Sequence, residues 1–351
     1  MSGKPTALIT GCSEGGAGHA LALEFAAKGY RVFATARSTK SLTGLQEKGI
    51  ELLTLDVTKP ESISALKDEI IKRTGGKLDI LFNNAGMMYE APAIEADREQ
   101  VQNMFNTNVF GLFDMVQAFS PLLLASVADS QTTPTIINTA SIVARVPYYF
   151  TAQYNATIAA VASYSDTLRL ELAPLGIKVV TLYMGVVATH LTSSDKKLFS
   201  PDSIFIDAEE GLRERSRLHL KNGTKPEEFA RLVVKDVLKN KTALSKGEYI
   251  WRGANAVAAL KETSDHMRCQ RSSPQFSFLK PATNTDRHLA EDHALCTRSL
   301  KRSTADYKTL DGLDRIDGNT LDSCSDVIEN KFVNGDELDK DTRDHQGNRG
   351  R

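Results

Sequence analysis

Ser141 and Tyr154 are the two side chains whose types and spacing point most directly to chemistry. Ser141 closes the apolar run TIINTAS, and Tyr154 follows thirteen residues later in TAQYNATIAAVASYSDTLRLELAPLGI, a segment with helical spacing. A loop of that length can return the tyrosine to face the serine over the end of a strand, the edge at which ligands bind in open α/β sheets. A phenol has a reference pKa of about 10, so proton exchange near neutrality calls for a neighbouring positive charge that favours the phenolate. One helical turn further, on the same helix face and so facing the same ligand, the chain carries Ile158. Isoleucine brings neither charge nor donor. Arg145, four residues past Ser141, is the replacement cation that the sequence offers, set against the plainer reading of a solvated loop arginine. His190 stands near the same region, with a neutral surface histidine as its plainer reading.

A second constellation lies near the N-terminus. The apolar run ALIT passes into Thr10-Gly11-Cys-Ser-Glu-Gly15-Gly16-Ala17-Gly18 and then into a helical pattern opening at His19. Glycines between a first strand and a first helix let the backbone turn tightly and approach a pyrophosphate, whose charge is met by amides at the helix N-terminus. Tight strand-to-helix turns need glycine for structural reasons too, so the placement carries the signal rather than the glycines alone. The second apolar run ends Thr35-Ala-Arg37-Ser38, with no acid where a ribose 2′-hydroxyl would be gripped and with Arg37 placed for a 2′-phosphate. The cofactor expected on these residues is NADP(H) rather than NAD(H).

The elements that must position these groups follow from periodicity. ALIT, RVFATA, ELLTLDV, DILFNNA, TIINTA, KVVTLYM and EYIW read as strands. Helical patterns lie between them at HALALEFAAKG, ESISALKDEIIKR, a stretch from about Arg98 to Ser126, and the segment after Tyr154. Seven strands alternating with helices predict an α/β domain, a doubly wound, mostly parallel seven-stranded Rossmann-type sheet over residues 1–260. Residues 261–351 are highly charged, poor in aliphatics and without sustained periodicity, which reads as a disordered tail. Its aspartates do not place glycine at the sixth position of a calcium-binding loop.

TGCSEGGAG, LDVT, NNAG, Ser141, Tyr154 and the GVVAT segment stand in the order and spacing of the short-chain dehydrogenase/reductase family, which residues 5 to about 255 resemble. Within it, ITGCSEGGAGHALA, LRLELAPLGI and GEYIWRGANA resemble fungal NADPH-dependent reductases of the 1-acyldihydroxyacetone-phosphate type. The resemblance implies that Gly11, Gly16 and Gly18 wrap the pyrophosphate and that Asp56 caps the adenine. It also implies that Asn84 lies beside the cofactor and that Val187 and Thr189 hold the nicotinamide carboxamide. Ser141 and Tyr154 would be catalytic, with Asn108 of FNTNVFG anchoring a water relay. Two positions depart from the family pattern. Ile158 stands where the family has lysine, and Met184 stands where it usually has proline before Gly185.

With 43 Lys+Arg against 44 Asp+Glu and a formal charge of -1, the chain generates no whole-molecule field for nucleic acid or an anionic membrane. The N-terminal residues reach a strand-like run at once, leaving no room for a targeting segment, and no apolar run approaches the roughly 20 residues that span a bilayer. Four cysteines lack CxxC or Cys/His zinc spacing, so no metal is expected. Together these readings predict a cytoplasmic NADPH-dependent carbonyl reductase acting on a lipid-like or polyketide-like ketone, of the kind that tailors fungal secondary metabolites. Peripheral membrane association and a homo-oligomer are compatible with it. The competing reading is a catalytically impaired NADP(H)-binding relative with a structural or regulatory role, because of Ile158.

Overall fold

Runs rich in Val, Ile, Leu and Phe form strands here because both faces of a parallel sheet are covered by helices, so such strands read as continuous apolar stretches. A computed structural model describes residues 3–128, 130, 132–189, 191, 199–239 and 248–261. The described residues form seven strands: β1 (Thr6–Ile9), β2 (Arg31–Ala36), β3 (Glu51–Thr54), β4 (Ile80–Asn83), β5 (Thr135–Ser141), β6 (Lys178–Met184) and β7 (Glu248–Arg252). They lie in the order β3-β2-β1-β4-β5-β6-β7, and every pairing is parallel. The expected doubly wound sheet is therefore present and wholly parallel. The strand order reverses between β1 and β4, and in open sheets of this kind a crevice opens there at the carboxyl ends of the strands.

Helices α1 (Ala17–Ala27) and α7 (Pro226–Lys239) cover one face. Leu21 and Phe25 of α1 join Phe229, Val233 and Val234 of α7 in a core that also takes Ala7, Ile9 and Val32 from the strands. The opposite face is covered by α2 (Pro60–Thr74), α4 (Gly111–Ser126) and α5 (Ala152–Leu172), which bury Ile63, Ile70, Met115, Phe119, Val161 and Leu168 against Leu8, Leu81 and Ile136. The charged helix α6 (Glu209–Asn222) follows the loop that leaves β6.

The stretch expected to be one helix from 98 to 126 has three parts. Helix α3 (Arg98–Phe105) passes through a π-helical turn at Asn106–Phe110 into α4. A π-turn inserts one residue per turn and re-aims the side chains on it, here Asn108. By length and composition Arg98–Ser126 could cross a membrane, but Met104, Val109, Leu112, Met115, Val116 and Phe119 are buried. It is a core helix. The charged stretch after 261, with its aspartates, and His190 lie outside the described residues.

Candidate active site

At the switch point a cavity of ≈ 890 Å³ opens over the carboxyl ends of the strands. Gly11 and Gly16 line one end with Arg37 and Asp56; Asn84 and Asn108 lie along it; Ser141, Tyr154, Ile158, Val187 and Thr189 line the other part. Residues from eight separate segments of the chain thus meet in one space. Gly18 is the expected site residue that does not line it. A Cβ there would stand 2.4 Å from Gly11 O and 2.5 Å from Asn84 Nδ2, so this glycine lets α1 pack under the turn.

The turn itself is held by side chains. Gly11 has φ +71, a left-handed conformation, and a Cβ on it would lie 2.8 Å from Ala85 Cα. Asn84 Nδ2 donates to Thr10 O at 2.9 Å and to Gly11 O at 3.1 Å, while Thr10 Oγ1 accepts from the amides of Asn84 and Ala85, both at 2.9 Å. Thr10 was not singled out from the sequence, and its buried hydroxyl is what ties β1 to the loop after β4. Helix α1 opens at Gly16 with no side-chain cap and no acid in its first turn. Its first amides are left for an anion, which the helix dipole favours. Cys12, inside this turn, is buried, and burial pushes its thiol up to about 12, against a backbone hydrogen bond from Thr35, so it offers no thiolate near neutrality.

Asp56 is partly buried, which alone would raise its carboxyl. The hydrogen bonds from the Thr58 hydroxyl at 2.7 Å and amide at 3.1 Å, with the charges of Lys59 and Arg37, outweigh that and hold it low. It is an anion at neutral pH, and Arg37 is exposed beside it.

At the other end Asn108 is 5% exposed and fully engaged. Its Nδ2 donates to Met87 O at 2.9 Å and to Thr157 Oγ1 at 3.1 Å, and its Oδ1 accepts from Met87 N at 2.8 Å. Thr157 Oγ1 in turn donates to Tyr154 O at 2.7 Å. The Asn108 side chain thus fixes the loop after β4 to the helix turn that carries Tyr154.

Tyr154 is partly buried and, among the described residues, its hydroxyl makes no hydrogen bond. Burial, and then the negative charge of Glu90, push its phenol up to about 12. Ile158 is 6% exposed and packs with Ala140, Ala162 and Tyr183. Arg145 does not replace the missing cation. It does not line the cavity, and its Nη2 donates to Tyr183 Oη at 3.4 Å and lies 3.9 Å from Asp166 Oδ2. Ser141 Oγ accepts from Val143 N at 3.4 Å.

The loop after Met184 is held by backbone pairing. Gly185 N donates to Arg252 O at 2.7 Å, Val186 pairs with Ala254, and Val187 pairs with Thr224. Ala188 N reaches Thr224 O at 3.0 Å. Backbone bonds to two distant segments thus hold the loop that follows Met184.

Four residues of the substrate end were not found from the sequence: Glu90, Tyr148, Arg215 and His219. Arg215 is one of three arginines at alternate positions of α6, and charge on an exposed helix reads as a solvated face. Arg213 bonds Glu209 and Arg217 bonds Glu210 and Glu214, whereas Arg215 turns inward to Glu90.

The family model described as short chain dehydrogenase matches residues 5–198. An NADPH-dependent 1-acyldihydroxyacetone phosphate reductase of Schizosaccharomyces pombe is 42% identical over 193 residues, a match that spans 55% of this chain and 63% of that protein. The chain therefore matches less than two thirds of that reductase's length. The short-chain dehydrogenase fogD of Aspergillus ruber is 37% identical over 255 residues, 71% of this chain and 84% of that one. Among solved structures, a short-chain dehydrogenase from Streptomyces avermitilis is similar with a TM-score of 0.64 at 26% sequence identity, covering 76% of this chain and 96% of its own.

Proposed function

Because the chain belongs to the short-chain dehydrogenase family of nicotinamide-dependent oxidoreductases, we propose that it is an NADPH-dependent carbonyl reductase acting on a lipid-like or polyketide-like ketone. The observation that carries this reading is the meeting of an uncapped helix N-terminus, Arg37, Ser141 and Tyr154 in one cavity. The residues fit the cofactor: the Gly11–Gly16 turn and the open amides of α1 would take the pyrophosphate, and Arg37 would take the 2′-phosphate. Asp56 would face the adenine, Asn84 would keep the turn in shape, and Val187 and Thr189 would meet the carboxamide. The preference for NADPH is also in keeping with the name of the Schizosaccharomyces pombe relative.

NADPH, when bound, supplies the hydride. Ser141 would hold the carbonyl oxygen by donating its hydroxyl proton in a hydrogen bond, and Tyr154 would deliver its proton to that oxygen as the alcohol forms. A phenol held near 12 stays protonated at neutral pH, which suits the donor's role in ketone reduction. Thr157 and Asn108 position the helix turn that carries Tyr154. The reading as a cofactor-binding protein without catalysis has less behind it, since Ser141 and Tyr154 line the same cavity.

The test is NADPH oxidation followed over a panel of aliphatic and aromatic ketones, with NADH in parallel. Wild type is expected to prefer NADPH. Losing a charged phosphate contact costs about 1.5–3 kcal/mol, so Arg37→Ala should narrow the preference by roughly tenfold or more. Equal use of the two cofactors by wild type would remove the Arg37 assignment, and no oxidation with any ketone would remove the reductase reading.

A further inference from the structure

The cavity holds a charged pair that hydride and proton transfer do not use. Glu90, 8% exposed, leaves the loop after β4 and its Oε1 accepts from Arg215 Nη2 of α6. The Arg215 guanidinium also lies 4.8 Å over the Tyr148 ring, whose centroid is 6.4 Å from that of His219, one helical turn past Arg215. All four line the cavity with Tyr154. Burial, and then the Arg215 charge, hold the His219 imidazole below its usual range, so it is neutral at pH 7.

Among the described residues the charges at this end therefore cancel. Burial raises the Glu90 carboxyl above its ordinary value and the Arg215 charge and hydrogen bond work against that; as an ion pair Glu90 contributes one negative charge and Arg215 one positive, Ile158 adds none, and Arg37 sits at the opposite end beside Asp56. A phosphate or carboxylate on the substrate would meet an arginine already compensated and a carboxylate that repels it, in a site where burial strengthens both effects. Glu90 Oε2, meanwhile, accepts no hydrogen bond among the described residues and is not among the fully enclosed atoms. An ionised carboxylate is an acceptor only, and a buried one with an open oxygen favours a ligand that brings a donor.

We infer that the substrate is a neutral ketone carrying a second group that donates a hydrogen bond, a hydroxyl or phenol, and that Glu90, held in place by Arg215, is the acceptor that selects it against phosphorylated or carboxylated ketones. This rests on the ketone-reductase reading and adds the chemical class of its substrate. Sites built to pair a substrate hydroxyl reject analogues lacking it far more strongly than apolar pockets reject a methylene, because the site's own polar group is then left unpaired.

Three aryl ketones of similar size separate the terms: 4′-hydroxyacetophenone, its methyl ether, and its phosphate ester. Affinity for the full chain loaded with NADP⁺ is measured by calorimetry, and kcat/KM with NADPH is measured in parallel. Wild type is expected to bind the phenol about tenfold or more tightly than either the ether or the phosphate. Glu90→Gln, which leaves Arg215 uncompensated, should weaken the phenol and improve the phosphate by about tenfold. Tightest binding of the phosphate by wild type, or equal affinities for all three including binding of none, would overturn the inference. An unchanged order in a folded Glu90→Gln protein would overturn it too. If that variant does not fold, the wild-type order decides alone. The expected binding order without turnover of any ketone would fault the reductase reading and leave the recognition intact.

Discussion

Tyr154→Phe is expected to lower reductase turnover by about 10²–10⁴-fold, the range that a positioned proton donor contributes. The ring is kept, so its packing against the Ala140, Ile158 and Tyr183 cluster is kept. The hydroxyl that is removed has no hydrogen-bond partner among the described residues, so stability should change by less than about 1 kcal/mol and NADPH affinity should hold. The thermal melt and a cofactor titration check that the loss lies in the chemical step. A variant as fast as wild type would place the proton donor elsewhere.

Ile158→Lys is expected to act in the opposite direction and to raise turnover by about tenfold. Position 158 lines the cavity one helical turn beyond Tyr154, so an ammonium there would favour the phenolate and could donate to the cofactor. It packs in an apolar cluster with Ala140, Ala162 and Tyr183. A lysine that stayed within that cluster would be desolvated, at a cost of about 1–3 kcal/mol in stability and with a lowered pKa of its own. Turnover and denaturant midpoint are therefore measured together. Unchanged turnover in a folded variant that retains NADPH affinity would show that helix α5 does not bring this position to the phenol.

The strands and the glycine turn were legible because they are local: a parallel strand is buried on both faces and reads as an apolar run, and a strand followed by glycines and a helical pattern reads as a turn for an anion. The π-turn at Asn106–Phe110 was not, since NTNVF carries no glycine or proline to mark it; its widening belongs to the packing of Asn108 against Met87 and Thr157. Arg145 was misleading for a related reason. A loop arginine next to a catalytic serine can point either way, and the buried Tyr183 hydroxyl with Asp166 draws it behind β6. The bridges of Val186 to Ala254 and Val187 to Thr224 that hold the loop after Met184 join segments far apart in the chain, so no local pattern announces them. Glu90 and Arg215 carry no pattern at all: one sits in a loop and the other on a helix of mixed charge, and only folding brings them together.

That Tyr154 acts without a neighbouring cation is the central claim, and the pH dependence of the reverse reaction tests it most directly. Alcohol oxidation needs the phenolate, and a phenol held near 12 is almost wholly protonated at neutral pH. Wild-type oxidation of an alcohol with NADP⁺ should therefore rise by about tenfold per pH unit from about pH 7 to pH 10 without levelling, while ketone reduction stays flat over the same range. A plateau in the oxidation rate below about pH 8 would contradict the account, because it would mean that a positive charge lowers the Tyr154 pKa after all.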